Sequence, residues 1–292
     1  MTKSKVTTGL ALIVLSAAAV LFTGCRNTAG GKPADGAGSG GGGGVLLDTA
    51  VLTLSPDKLD IKVKAVTADG SPVTVEGCTE TELPSDTETE LHAQGTRVTL
   101  KGKITELHCG SNQLTALDVQ GLSALEWLDC SGNQLTALNV QGLTALQGLD
   151  CSDNQLTALN VQGLTALQGL GCGGNQLTAL NVQGLTALQG LGCNGNQLTA
   201  LNVQGLTALQ ELDCSGNKLN AAAFEQLFTG LPQREESDNA KCILYTENPG
   251  VSEGNHTDFT APSGLAEAFN TAKTVKKWKM YKVDAIGNKV EI

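Results

Sequence analysis

A solenoid of short, stacked coils is the fold this sequence predicts, and three observations carry the prediction. A 21-residue frame, L-x-x-L-x-C-x-x-N-x-L-x-x-L-x-V-x-x-L-x-x, recurs six times in the middle of the 292-residue chain. Its cysteines hold strict register at Cys109, Cys130, Cys151, Cys172, Cys193 and Cys214. Its asparagines follow at Asn112, Asn133, Asn154, Asn175, Asn196 and Asn217. Constant spacing over so many copies means one supersecondary unit repeated along an axis. Such a unit cannot stand alone. Ordering each residue costs on the order of 1–2 kcal/mol of backbone freedom, and each large buried side chain returns about 1.5–3 kcal/mol, so neighbours above and below must complete the core.

The frame is the signature of a leucine-rich repeat, and each part of it has a physical reason. In the second copy Leu125, Leu128, Cys130, Leu135, Leu138, Val140 and Leu143 form the apolar lining. Residues 127–131 read as a strand, with Leu128 and Cys130 inward and Trp127, Asp129 and Ser131 outward. Stacked copies then build a parallel β-sheet along the concave face. The asparagines fall just past the strand, where a buried amide satisfies turn backbone and forms a ladder. Residues 135–143 are too few for a helix, so an extended convex side is expected. The cysteines form a second ladder. Equivalent residues of stacked coils sit about 4.8 Å apart with parallel Cβ directions, whereas a disulfide needs converging Cβ atoms at about 3.8 Å. Buried, reduced thiols acting as small apolar residues are the expectation. A metal or redox ladder is the other reading, but no histidine joins the register and one cysteine per coil is far from C-x-x-C spacing. Cys78 and Cys242 lie beyond opposite ends of the array and should not pair.

The ends divide the rest of the chain. Residues 1–24 read as a secretory signal, with Lys3 and Lys5 ahead of an apolar run too short for a membrane-spanning helix. The run ends in Leu21-Phe22-Thr23-Gly24-Cys25, similar to a relaxed bacterial lipobox in which Cys25 is acylated. Ordinary cleavage near Gly24 is the alternative. Residues 25–44 are a glycine-rich tether; the nineteen residues from Arg26 to Gly44 span roughly 25 Å. Arg26 stands where an inner-membrane retention signal has Asp, and no wall-sorting motif follows the array. Residues 45–103 read as a β-rich N-terminal cap, with strands near 51–54, 61–63, 73–75 and 98–100 and a turn at Asp69-Gly70-Ser71-Pro72. Residues 104–219 are the array. Residues 220–292 read as an α+β C-terminal cap: a helix at 220–228 with Asn220 as N-cap and Gly230 as stop, a strand at 243–245, a helix at 263–274, and a hairpin around Gly287-Asn288. The cluster Lys273, Lys276, Lys277, Lys279 and Lys282 reads as a solvated face or a contact for an acidic partner. Asn255-His256-Thr257 matches a glycosylation sequon and reads as a surface loop.

Charge narrows the partners. The net charge is −10, and the array holds eight acids (Glu106, Asp118, Glu126, Asp129, Asp150, Asp153, Glu211, Asp213) against Lys218. That sign excludes a nucleic-acid footprint and direct docking on anionic lipid, leaving membrane contact to the lipid anchor. The histidines, His92, His108 and His256, sit in no nucleophile motif, and no phosphate loop or metal-spaced cluster occurs, so neither catalysis nor a cofactor is expected.

The outward strand positions form three columns. The first is Glu106, Trp127, Gly148, Gly169, Gly190, Glu211; the second His108, Asp129, Asp150, Gly171, Gly192, Asp213; the third Gly110, Ser131, Ser152, Gly173, Asn194, Ser215. Functional groups gather towards both ends, around bare glycine. The candidate partner-binding residues are therefore Glu106, His108, Trp127, Asp129, Asp150, Asn194, Glu211 and Asp213. The glycines read either as a smooth trough or as drift after duplication. Trp127 reads either as a binding hot spot or as packing against the cap.

With its second half written L-x-x-L-D/N-V-x-x-L-T-x-L, the frame resembles the short cysteine-bearing repeats of internalin-type proteins and is equally similar to treponemal leucine-rich repeat lipoproteins. Gly102-Lys103-Ile104-Thr105-Glu106-Leu107 and Lys277-Trp278-Lys279-Met280-Tyr281 also resemble parts of the lipoprotein group. The likeness covers most of the mature chain. It implies a lipoprotein of the bacterial outer membrane, exposed at the cell surface, monomeric, binding a host, matrix or envelope protein in adhesion and virulence. A periplasmic protein whose array is a spacer presenting its caps is the competing expectation.

Overall fold

The computed structural model describes residues 48–292. The signal segment, the acylation of Cys25 and the tether lie outside the described residues. The N-terminal cap contributes β1 (Thr49–Thr53), β2 (Asp60–Thr67), β3 (Val73–Glu76), β4 (Glu82–Leu83), β5 (Thr89–His92) and β6 (Arg97–Lys101). The array contributes β7 (Ile104–His108), β8 (Ala116–Asp118), β9 (Trp127–Asp129), β10 (Gly148–Asp150), β11 (Gly169–Gly171), β12 (Gly190–Gly192) and β13 (Glu211–Asp213). The C-terminal cap follows with α1 (Ala221–Gly230), β14 (Lys241–Thr246), α2 (Ser263–Thr274), β15 (Lys279–Val283) and β16 (Lys289–Glu291).

One strand per 21-residue coil, each parallel to the next, makes the array a leucine-rich repeat solenoid. The convex returns of the inner coils hold no helix, as their length requires. From β9 to β13 the strands are three residues long rather than five: in β9 pleating stops at Asp129, and Asn133 Nδ2 donates to the carbonyls of Cys130 (2.9 Å) and Ser131 (3.3 Å) where the chain bends into the turn. Parallel bonding still runs on, with Cys130 N donating to Asp150 O and Gly132 N to Ser152 O.

The asparagine ladder ties coil to coil. Asn154 Nδ2 donates to Cys151 O of its own coil (3.1 Å) and to Cys130 O of the preceding one (3.0 Å), while Oδ1 accepts from Leu135 N (2.9 Å). The ladder is longer than its repeats. At one end Asn112 exchanges bonds with Lys62 of β2, at 2.9 and 2.7 Å. At the other, Asn255 donates to Cys214 O and Leu244 O and accepts from Leu219 N. The sequon reading of Asn255 as surface is thus corrected: it is a seventh rung and 7% exposed. The eight described cysteines are free and buried. Burial pushes the thiols of Cys109, Cys130, Cys151, Cys172 and Cys193 far above their ordinary range and that of Cys78 up to about 11, while a hydrogen bond with Cys242 and then burial raise that of Cys214.

The sheet also outruns the repeat. β14 and β15 stack parallel on β13, β16 closes that edge antiparallel, and at the other edge β2 and β5 add antiparallel to β7, giving eleven strands. The register therefore continues past Lys218, where the sequence pattern stops. β8, in the return of the first coil, joins β1 in the cap's own five-stranded sheet. The helices fall where expected, and Asn220 Oδ1 accepts from Ala223 N. Gly230 is not a left-handed stop: it lies inside α1, and a Cβ there would stand 3.2 Å from Gln204 N, so the glycine serves close packing.

The basic cluster is corrected from a solvated face to a bracing set. Lys276 Nζ donates to the carbonyls of Phe228, Thr229 and Leu231 and caps α1. Lys277 pairs with Glu236, Lys282 with Glu247, Lys279 bonds Asn239, and Lys273 donates to Ile292 O. Phe224, Phe228, Phe259 and Phe269 pack ring against ring beneath them. No helix among the described residues is long and apolar enough to cross a membrane.

Candidate binding face

Sheet pairing sets the concave face strand by strand. From β2 towards β15, the column through Trp127 reads Val66, Glu106, Trp127, Gly148, Gly169, Gly190, Glu211, Lys241, Lys279. The column through Asp129 reads Lys64, His108, Asp129, Asp150, Gly171, Gly192, Asp213, Ile243, Tyr281. The flanking residues Lys64, Lys241 and Tyr281 were missed as face residues. Lys64 was legible from the alternation Lys62, Lys64, Val66 in β2; the other two required knowing that the caps stack in register.

At the N-terminal end, His108 Nε2 lies 3.5 Å from Glu106 Oε2, and Lys64 is held by Asp86 at 2.7 Å. Trp127 packs on Gly148. A Cβ built on Gly148 would meet Cε3, Cζ3 and Cδ2 of the indole at 2.4, 2.5 and 2.6 Å. Three ring atoms at nearly one distance from that point mean the ring lies flat on the sheet, one face down on Gly148, and Trp127 stays half-buried. Asp129 Oδ1 accepts from Ser131 N (3.0 Å) and Ser131 Oγ (2.7 Å), and Asp150 Oδ1 accepts from Ser152 N (3.0 Å). Among the described residues no cation pairs with Asp129, Asp150 or Asp153. Burial, with Asp129 adding repulsion, pushes the Asp150 carboxyl above its usual range.

The glycine centre is of two kinds. Gly148 is required by Trp127. Gly171 and Gly173 lie under side chains too, with Asp150 Oδ1 at 2.9 Å and Asn194 Oδ1 at 2.5 Å from the Cβ each lacks. Asn194 thus lies over the neighbouring coil. Gly190 has nothing within 4 Å, and Gly192 only contacts at 4.0 Å. At the C-terminal end Glu211 pairs with Lys241 at 2.9 Å. Asp213, in the outward column by sequence, is only 4% exposed, bonded to Ser215 N and Oγ, with burial holding its carboxyl above the usual range. Its side chain is not offered to solvent.

No protein-family model matches the chain, and no curated protein matches it. Among solved structures, an internalin of Listeria monocytogenes is similar with a TM-score of 0.47 and 19% identity, over 63% of this chain and 50% of that one. The functional domain of a second Listeria monocytogenes internalin, described as including a cysteine ladder, gives 0.36 and 26%, over 58% and 44%. A leucine-rich repeat protein of Leptospira interrogans gives 0.43 and 26%, over 60% and 48%. The chain thus spans about half the length of these structures.

Proposed function

We propose that this protein is an exported, lipid-anchored leucine-rich repeat protein of the bacterial surface that binds a protein partner with its concave face in attachment. The observation that carries the reading is Trp127: a large ring laid on an open sheet, flanked by carboxylates without cations, is the composition of an interface anchor. The acidic balance and the sequence likeness of residues 21–25 to a lipobox support export and anchoring through Cys25. The bare stretch around Gly190 favours a second reading, in which the array is a spacer presenting its caps.

The two readings separate in one experiment. Cells displaying the full chain are scored for adherence to host-cell and matrix surfaces, with Glu106, Trp127 and Asp129 replaced by alanine together, or with convex Thr157 and Thr178 replaced instead. Loss of adherence only in the concave variant is expected; equal adherence by both overturns the concave reading. Protease digestion on intact and lysed cells tests location. Cleavage on intact cells is expected, and protection until lysis would move the protein to the periplasm.

A further inference from the structure

We propose that the Trp127 end of the concave face is a slot for a cationic side chain, arginine foremost, carried by a basic segment of the protein partner. The inference rests on the concave-face reading and names the chemistry its partner must bring.

The slot has a floor and a wall. Its floor is the Trp127 ring, face down on Gly148. The ring is part-exposed, and among the described residues neither a cation nor another ring stacks on it: the one cation over a ring is Lys273 on Phe269. Its wall is Asp129 and Asp150. Trp127 and Asp129 stand two residues apart on β9, and Gly148 and Asp150 two apart on β10. These four positions mark a rectangle of about 4.8 by 7 Å. Asp129 Oδ1 leans towards Gly110, 3.2 Å from the Cβ it lacks, and Asp150 Oδ1 towards Gly171, at 2.9 Å, so a cation within about 6 Å of the ring centroid, the range in which ring faces attract cations, sits in the combined field of two carboxylates that border the ring on one side. Each carboxylate spends Oδ1 on its own serine, and no described group bonds either Oδ2.

Among the described residues no lysine or arginine pairs with either carboxylate. Lys64, in the same column, is engaged by Asp86, and Lys58 donates to Ser111 O. Guanidinium fits better than ammonium, because it is planar, stacks on a ring and forks to two oxygens. Beyond the slot Gly190 and Gly192 leave a low floor along which the partner's main chain can lie. Charge decides against a neutral sugar stacked on the same ring, which would leave two adjacent carboxylates uncompensated.

The test uses the folded protein and a fluorescein-labelled peptide of alternating Arg and Gly, read by anisotropy, with alternating Glu-Gly and Lys-Gly peptides and cellohexaose as comparators. Arg-Gly is expected to bind, to bind better than Lys-Gly, and to weaken with salt. Trp127→Ala, and Asp129→Asn with Asp150→Asn, should each weaken binding about tenfold or more, while Trp127→Phe retains most of it. Equal binding of the Glu-Gly peptide, cellohexaose binding that needs Trp127, or indifference to these substitutions in variants of unchanged circular dichroism overturns the slot. Should Arg-Gly fail while the concave variants still lose cell adherence, the slot falls and the concave reading stands; should adherence also be indifferent, both fall.

Discussion

The two ends of the concave face carry the same short motif and put it to opposite use. Asp129-Cys130-Ser131 and Asp213-Cys214-Ser215 hold their Asp and Ser in matching hydrogen bonds, with Ser Oγ 2.7 Å from Asp Oδ1 in both. Yet Asp129 stands half-exposed, two residues from the part-exposed Trp127, and Asp213 is buried. Glu106 and Glu211 differ likewise: one meets a histidine at 3.5 Å, the other a lysine at 2.9 Å. The cause lies outside the repeats. β14 brings Lys241 beside Glu211 and Ile243 beside Asp213, whereas the N-terminal cap brings Lys64 already engaged by Asp86. A repeat position acquires its chemistry from the cap that covers it.

The strongest way to break this comparison is to unseat the C-terminal cap. Asn255 anchors it through three main-chain bonds, as Asn154 anchors a central coil. Each cysteine carbonyl keeps a second asparagine donor, so Asn154→Ala strands the Leu135 amide and Asn255→Ala the Leu219 amide and the Leu244 carbonyl; each should cost roughly 1–3 kcal/mol in urea unfolding. Equality of the two would show that the ladder counts geometry and not repeat membership; a cost below about 1 kcal/mol for Asn255→Ala would mean that the cap holds by its phenylalanine core alone.

A smaller effect separates required glycines from free ones. Gly148→Ala drives a methyl into the Trp127 ring and should cost about 1–2 kcal/mol. It should also shift indole emission, and Trp278, the second tryptophan, is buried at 1% exposure and serves as internal reference. Gly190→Ala meets nothing within 4 Å and has no left-handed backbone to strain, so it should leave stability unchanged or raise it by up to about 1 kcal/mol. Thermal melts of the pair check both signs.

Smaller still is the pH dependence of the buried end. The Asp213 carboxyl is held above its usual range by burial, so its charged form costs stability, and that cost is relieved as pH falls through the folded value towards the unfolded one near 3.9. Asp213→Asn keeps an oxygen for Ser215 and drops the charge. It should raise the melting midpoint at pH 7 by a gain under about 1 kcal/mol that shrinks towards pH 4; a pH-independent difference would point to packing instead. The Glu80–His92 pair of the N-terminal cap has the opposite sign. His92 hydrogen bonds hold Glu80 down to about 2, so its contribution is present above the usual carboxylate range and is lost as pH falls towards that value.

Most of the fold was legible because period and burial are the same information in a solenoid: a leucine every few residues is a coil lining, and a fixed cysteine and asparagine are ladder rungs. The caps were legible as elements, since β2 alternates and α2 carries Leu265 and Ala272 on one face. What they do to the array was not. Asn255, Leu244 and Lys241 continue the array in space without continuing its spacing, because a strand pairs by hydrogen bonds that any residue supplies. For the same reason Asp213 looked like Asp129. Trp127 stood out in the sequence, but its seat on Gly148 depends on a side chain crossing to the next coil, a contact that no single-coil pattern encodes.

The smallest expected effect also sharpens the comparison furthest. Lys241→Ala removes the one cation paired with Glu211, a contact with both side chains partly exposed at 41% and 29%. Surface pairs of this kind contribute about 0–1 kcal/mol, so the melt should barely move. The variant makes Glu211 as free as the N-terminal acids, yet its neighbour on the adjacent coil is Gly190, with no ring above it. If a cation slot needs only uncompensated acid, the Arg-Gly peptide should then show two sites per molecule. If it needs the ring, stoichiometry in calorimetry stays at one, and that is the expected result. A second site of similar affinity would reduce the distinction between the two ends to charge alone and leave Trp127 a packing residue.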